Sequence, residues 1–173
     1  MHVRPPSYGE SLDETRARAT DVAKGILADR GRRFRAARTN DEAQRIIDND
    51  VERYIAEADL EAASAALLEA TDFVDPGFTT GFVQMLCKWG EDSFYDDYNC
   101  EMALRTFQLA VGLDPANEKA VNGVLSVCLH GEPVLPEVAL PYMVIMSKLN
   151  PGRGEIAYVV RLINEEAGGY KRA

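Results

Sequence analysis

The chain reads as an all-α protein, and three observations carry that reading. Its apolar residues recur at a helical period of three to four, and no alternating apolar–polar run persists as a strand would require. The sequence is punctuated by Val74-Asp75-Pro76, Leu113-Asp114-Pro115 and Leu149-Asn150-Pro151. The prolines lie 39 and 36 residues apart, and a stop that recurs at such a period marks a repeated helical unit. Composition agrees: 46% hydrophobic and 27% charged residues over 173 positions suffice for one real core and differ from a disordered chain.

Taken in order, residues 1–10 hold Pro5, Pro6, Ser7 and Gly9 without periodicity and read as a loose arm. A helix follows Ser11, with Asp13 and Glu14 in its first turn, where the dipole favours acids. Val22, Ile26, Leu27 and Phe34 form its expected apolar stripe, while Gly25 and Gly31 weaken or end it. Asn40 or Asp41 is the expected cap of a second helix carrying Ile46, Ile47, Val51, Tyr54 and Ile55. Asp59 caps a third, whose inward set is Leu60, Ala63, Ala66, Leu67, Ala70, Phe73 and Val74. Its alanines permit close helix packing, and Asp75-Pro76-Gly77 stops it.

Thr79 or Thr80 is expected to open the next helix, with Phe82, Val83, Met85, Leu86 and Trp89 on its apolar face. Residues 91–99 read as an acidic, aromatic turn, after which a helix spans 100–112. Another runs from Asn117 to Leu129, with Ala120, Val121, Val124, Leu125 and Cys128 inward. Pro136 suits the first turn of the next, which holds Val138, Ala139, Tyr142, Met143, Ile145, Met146 and Leu149. Pro141 within it predicts a kink or a later start. A last helix, 154–166, turns Ile156, Val159, Val160 and Ile163 inward and is followed by a polar tail. About eight helices result, divided between a basic N-terminal arm and helix (1–39) and a helical repeat domain (40–173).

The division rests on charge. Residues 1–39 carry nine Lys/Arg against five Asp/Glu, and residues 40–173 carry ten against twenty-three, within an overall net charge of −9. Such asymmetry predicts two surfaces with different partners. The run Arg30, Arg32, Arg33, Arg35, Arg38 has two readings: a phosphate-binding patch on nucleic acid, or a face paired with the acidic body of the same chain or of a second copy in a homodimer. Nucleic acid is the lesser reading, because only Phe34 interleaves the arginines and the remainder is acidic. No apolar run reaches the ~20 residues of a membrane span, and Met1–Pro6 lacks a signal-type apolar core, so a cytoplasmic protein off the membrane is expected. Cys87, Cys100 and Cys128 form no Cys-x-x-Cys pair, and His2 and His130 stand apart from clustered ligands. Neither a metal nor a cofactor is expected. No nucleophile–base pair or phosphate loop appears, so the chain does not read as an enzyme.

Helix pairs that end in Asp-Pro or Asn-Pro resemble tetratricopeptide repeats, whose unit is 34 residues. Ala103, Phe107 and Ala110 stand 12, 8 and 5 residues before Pro115, where that family places small, aromatic and small residues. Ala139, Met143 and Met146 hold the same offsets before Pro151, and Ser64, Leu68 and Thr71 before Pro76. Phe82, Met85 and Trp89, and then Val121, Val124 and Cys128, occupy the matching places of the first helices, with Leu86 and Leu125 where the family has a close-packing glycine.

The resemblance covers about residues 40–166. It implies a short right-handed α-solenoid of about three helix pairs, with an N-terminal helical extension and a C-terminal capping helix. It also implies an adaptor that holds a protein or peptide segment in a groove lined by Thr80, Gln84, Lys119, Asn122, Ser126 and His130. Only Lys119 and Asn122 match a carboxylate clamp, so none is expected. Size, acidity and layout also resemble the chaperones of type III secretion translocators, an alternative that implies a hydrophobic partner.

Residues 91–99 bring Glu91, Asp92, Asp96 and Asp97 together with Phe94, Tyr95 and Tyr98. The calcium-loop pattern is missing its glycine and final glutamate. The plain reading is a solvated turn whose aromatics pack down on the body. The functional reading is a docking surface of Glu91, Asp92, Tyr95, Asp96, Asp97 and Tyr98 for a basic, partly apolar segment, with the chain's own Arg30–Arg38 run as the intramolecular occupant.

Overall fold

Helix boundaries fall where the chain supplies side chains to satisfy orphan backbone groups. The computed structural model describes residues 12–150, which are helical with no strand among them. Helix α1 (Leu12–Asp29) ends in a Schellman motif. Arg32 N–H donates to Leu27 O and Gly31 N–H to Ala28 O, both at 2.9 Å, with Gly31 at φ 72°, where a side chain would be strained.

Thr39 caps α2 (Asn40–Arg45) by accepting from Glu42 N–H at 3.1 Å. Asn40 and Asp41 are therefore first-turn residues rather than the cap, because Thr39 lies three residues before Glu42, the spacing of a capping box. The helix continues through a π-helical turn, Ile46–Val51, into α3 (Glu52–Ala56). Ala58 then takes a left-handed φ of 56°, and Asp59 caps α4 (Leu60–Ala70) by accepting from Ala62 N–H at 3.0 Å.

Helix α4 is the most enclosed element. Leu60, Ala62 to Leu68 and Ala70 are buried, and Ser64 satisfies its hydroxyl by donating to Leu60 O at 2.7 Å. The helix stops before the expected Phe73, which is 40% exposed rather than inward. Helix α5 (Pro76–Glu91) begins at the proline itself, earlier than Thr79 or Thr80. Asp75 accepts from Gly77 N–H at 2.8 Å, and Pro76 sits where a missing N–H costs nothing. A π-helical turn, Asp92–Asp96, extends it, so the expected turn at 91–99 is largely helical.

Asn99 and Asn117 cap α6 (Cys100–Leu113) and α7 (Glu118–His130), each accepting at 3.0 Å. Helix α8 (Pro136–Leu149) starts at Pro136 and runs through Pro141. The later start is thus not realised: Pro141 lies only five residues in, so a single early hydrogen bond is lost. The expected helix at 154–166 lies outside the described residues.

Helix α6 packs against α5, α1, α7 and α4, and α7 lies between α6 and α8. One hydrophobic cluster joins them all. On α1 the buried residues are Ala19, Ala23 and Leu27, whereas the expected Val22 and Ile26 are half-buried. Close approach explains the shift: a Cβ added to Gly112 of α6 would stand 2.3 Å from the Ala23 Cβ. The Phe107 ring fills the space left by two further glycines. A Cβ at Gly90 of α5 would lie 2.8 Å from it, and one at Gly123 of α7 2.3 Å. The close packing that the leucines at 86 and 125 forgo is supplied by these neighbours.

Gly123→Ala should destabilise the fold by about 1–3 kcal/mol through overpacking against Phe107. Ala58→Gly, which releases a left-handed alanine, should be stabilising by up to about 1 kcal/mol. Urea midpoints of the two variants, measured against the parent, check both signs.

Candidate interaction surfaces

The outer face of α5 presents Thr80, Gly81, Gln84, Met85 and Lys88 to solvent at helical spacing. The Thr80 hydroxyl donates to Pro76 O at 2.8 Å. On α7, Lys119 and His130 are exposed, and Asn122 and Ser126 are half-buried. The join between the two faces is an ion pair, Lys119 Nζ to Glu91 Oε1 at 3.2 Å. It links the last residue of α5 to the second of α7. Thr80 lies about three turns before that join and His130 about three turns beyond it. The six groove residues inferred from the sequence therefore lie along two helices, α5 and α7, on either side of that join.

The acidic, aromatic segment divides into held and free parts. Lys119 holds Glu91, and Lys88 Nζ holds Asp92 at 3.1 Å. Beyond them the π turn closes with Asp97 N–H donating to Asp92 O at 3.1 Å, and Asn99 N–H reaches the buried Ser93 at its carbonyl, 2.8 Å away. Phe94 packs on the core and meets Tyr95 edge to face at 4.9 Å between ring centroids. Tyr95 and Tyr98 are 62% and 83% exposed, and Tyr98 holds a left-handed φ of 53°. Asp96 and Asp97 are exposed as well and enter no ion pair among the described residues.

The basic run goes elsewhere. Arg32 pairs with Asp59, Arg30 Nε stands 3.7 Å from Glu61, and Arg35 pairs with Glu42 at 2.9 Å. The arginines thus meet the N-terminal ends of α4 and α2, where acids gather to complement helix dipoles, and not the 91–99 segment. Ala37 N–H donates to Glu69 O, and Lys24 lies over the Phe34 ring at 4.4 Å, so the segment after α1 is strapped to the body. Burial raises the Glu69 carboxyl above its usual value. Arg38 N–H, donating to Glu42, lowers that carboxylate despite some opposing desolvation, with Arg35, Arg38 and Arg45 adding their charge.

Sequence reasoning missed a cavity of about 300 Å³ between α4, α5 and α6. Leu86, Trp89, Met102 and Leu109 form its apolar wall, and Arg30, Arg32, Asp59 and Glu61 stand at its edge. Its walls come from four separate stretches of chain, and no local motif announces such a convergence. No cysteine lines the cavity. Burial pushes the Cys87 thiol up to about 11 and Cys128 up to about 12, and the Tyr142 phenol likewise to about 12. No group of metal ligands occurs among the described residues, and no described helix is long and apolar enough to cross a membrane.

Comparison of the chain with protein-family models, with curated proteins and with solved structures finds no match.

Because the Glu42 carboxyl is lowered from its ordinary 4.5, its contribution to stability is present above that pH and is lost as pH falls through the lowered value. Glu42→Gln should therefore lower the melting temperature at pH 7, and the gap to the parent should close in acid. Thermal melts across pH 2–7 measure this.

Proposed function

We propose that the chain is a protein-interaction adaptor and that its docking surface is the exit of the π turn after α5. The observation that carries this reading is the exposure of two large aromatics, Tyr95 and Tyr98, beside the free carboxylates of Asp96 and Asp97. Solvated tyrosines keep much of their apolar area available at little conformational cost, since each has only two side-chain torsions. The adjacent acids favour a partner segment that is basic and partly apolar, and they steer its approach. Tyr98 is the sharper indicator. A tyrosine in left-handed geometry costs about 1–2 kcal/mol relative to a residue that accepts it freely, and a glycine would serve the turn better. Strain at an exposed, bulky side chain is the pattern of a retained contact residue.

The helical order supports a finer fold reading. Helices α5, α6, α7 and α8 pack consecutively, and α5 also touches α7, as the first helices of neighbouring tetratricopeptide-like pairs do. On this reading Gln84, Met85, Lys88 and Lys119 continue the docking surface away from the tyrosines, and a bound segment runs along α5 toward α7.

The test uses the parent chain and a variant, Tyr95→Ser/Asp96→Asn/Asp97→Asn/Tyr98→Gly, as baits in a native lysate. A specific partner should be captured by the parent and its affinity reduced at least tenfold by the variant. That corresponds to about 1.4 kcal/mol, a moderate hot-spot loss. Removing the strained tyrosine should leave the melting temperature equal or higher, which separates lost binding from lost folding. Equal capture by both baits overturns the assignment of this surface.

A further inference from the structure

We propose that the cavity between α4, α5 and α6 binds a small carboxylic acid with an apolar body. The inference is independent of the docking surface. It begins with a shortage of hydrogen-bond acceptors beside the cavity: Arg30 and Arg32 on its rim are balanced by Asp59 and Glu61, and Arg105 stands behind that rim, also facing Glu61. Three guanidinium groups, Arg30, Arg32 and Arg105, gather on two carboxylates, Asp59 and Glu61. Asp59 is committed twice, to Arg32 and to the α4 N-terminus. Glu61 is left to serve two arginines, and it bonds neither. Arg30 Nε is 3.7 Å from one of its oxygens and Arg105 Nε is 3.9 Å from the other, both beyond hydrogen-bond length. The second carboxylate near Arg105, on Glu101, is 3.8 Å away and 85% exposed, so water weakens its hold.

Arg105 meanwhile buries Nε and Nη2 with no acceptor for either among the described residues. Buried polar groups of this kind are normally bonded, and a guanidinium most of all. The arrangement lacks one acceptor. A ligand carboxylate placed at Arg30 supplies it, because Glu61 is then released to close on Arg105 and both guanidiniums are satisfied.

The rest of the ligand follows from the wall. Leu60, Leu86, Trp89, Met102 and Leu109 are apolar, and the Thr106 hydroxyl is already spent on Met102 O at 2.8 Å. Away from the charged rim, the cavity therefore offers the ligand's body no free donor. Its volume of about 300 Å³ stands at the lower end of small-molecule pockets, which suits a medium-chain aliphatic or an arylalkyl acid.

The cavity carries its own reporter, since Trp89 is the single tryptophan of the chain. Titration of the full chain with octanoate and with 3-phenylpropionate should change Trp89 emission saturably. The neutral analogues 1-octanol and 3-phenylpropanamide should bind at least tenfold more weakly. Arg30→Met should weaken the acids at least tenfold while leaving the analogues unchanged. Met102→Phe, which fills the cavity, should abolish both responses, with far-UV circular dichroism showing both variants as helical as the parent. The proposal is overturned if the acids give no saturable change, if the neutral analogues match them, or if a folded Arg30→Met binds the acids as the parent does.

Discussion

The Phe107 ring is the contact on which the helical layers depend. It lies between Gly90 and Gly123, so α5, α6 and α7 meet through one aromatic side chain and two absent ones. Because α6 also carries Gly112 against Ala23, a single helix sets the spacing of α1 on one side and of α5 and α7 on the other. Close-packed interiors relax poorly, so the position of α6 passes directly into the positions of its neighbours. The join of Glu91 with Lys119 and the placement of Asp92–Asp96 both follow from how α5 and α7 are seated against it.

Helix α4 plays a different part. It is apolar almost all round and so must be enclosed. Enclosure brings its N-terminal carboxylates, Asp59 and Glu61, to the wall of the core, where they collect arginines from the strap after α1 and from α6. The charged rim of the cavity is thus a by-product of burying an alanine-rich helix whose ends still need capping. The same strap accounts for the local fate of the basic run, since Arg30, Arg32 and Arg35 find carboxylates within the chain.

Much of the architecture was legible because it rests on local rules. Asp59 and Asn117 announce helix starts by side-chain chemistry alone, and the all-helical class follows from periodicity. Thr39 and Asp75 show where local reading slips: several capping residues lie within a few positions of each other, and the choice among them depends on which reaches the right N–H. Spacing places Phe73 inward, yet its helix ends at Ala70, a boundary that no breaker residue marks. Of the α1 stripe, Leu27 is buried and Ile26 and Phe34 pack at the margin of the core, but spacing of large apolar residues does not reveal Ala19 and Ala23, which contact with Gly112 selects. Among the site residues, Tyr95 and Tyr98 were identifiable as a cluster, but their exposure depends on a π turn that leaves no signature in composition. The cavity was illegible for a stronger reason, since it exists only where four stretches converge.

The π turn after α5 has a consequence for how such a surface changes over time. Each residue in an α-helix advances the face by about 100°. A turn that already accommodates one residue more than the α-helical period is a place where length can change by one without touching Phe107 or the helices it joins. Loss of a single residue beyond Phe94 would swing Asp97 and Tyr98 to another bearing while Ser93 and Phe94 keep their packing. The segment is then a swivel between a packed seating and an exposed display, so the display and the stability can vary separately in this fold.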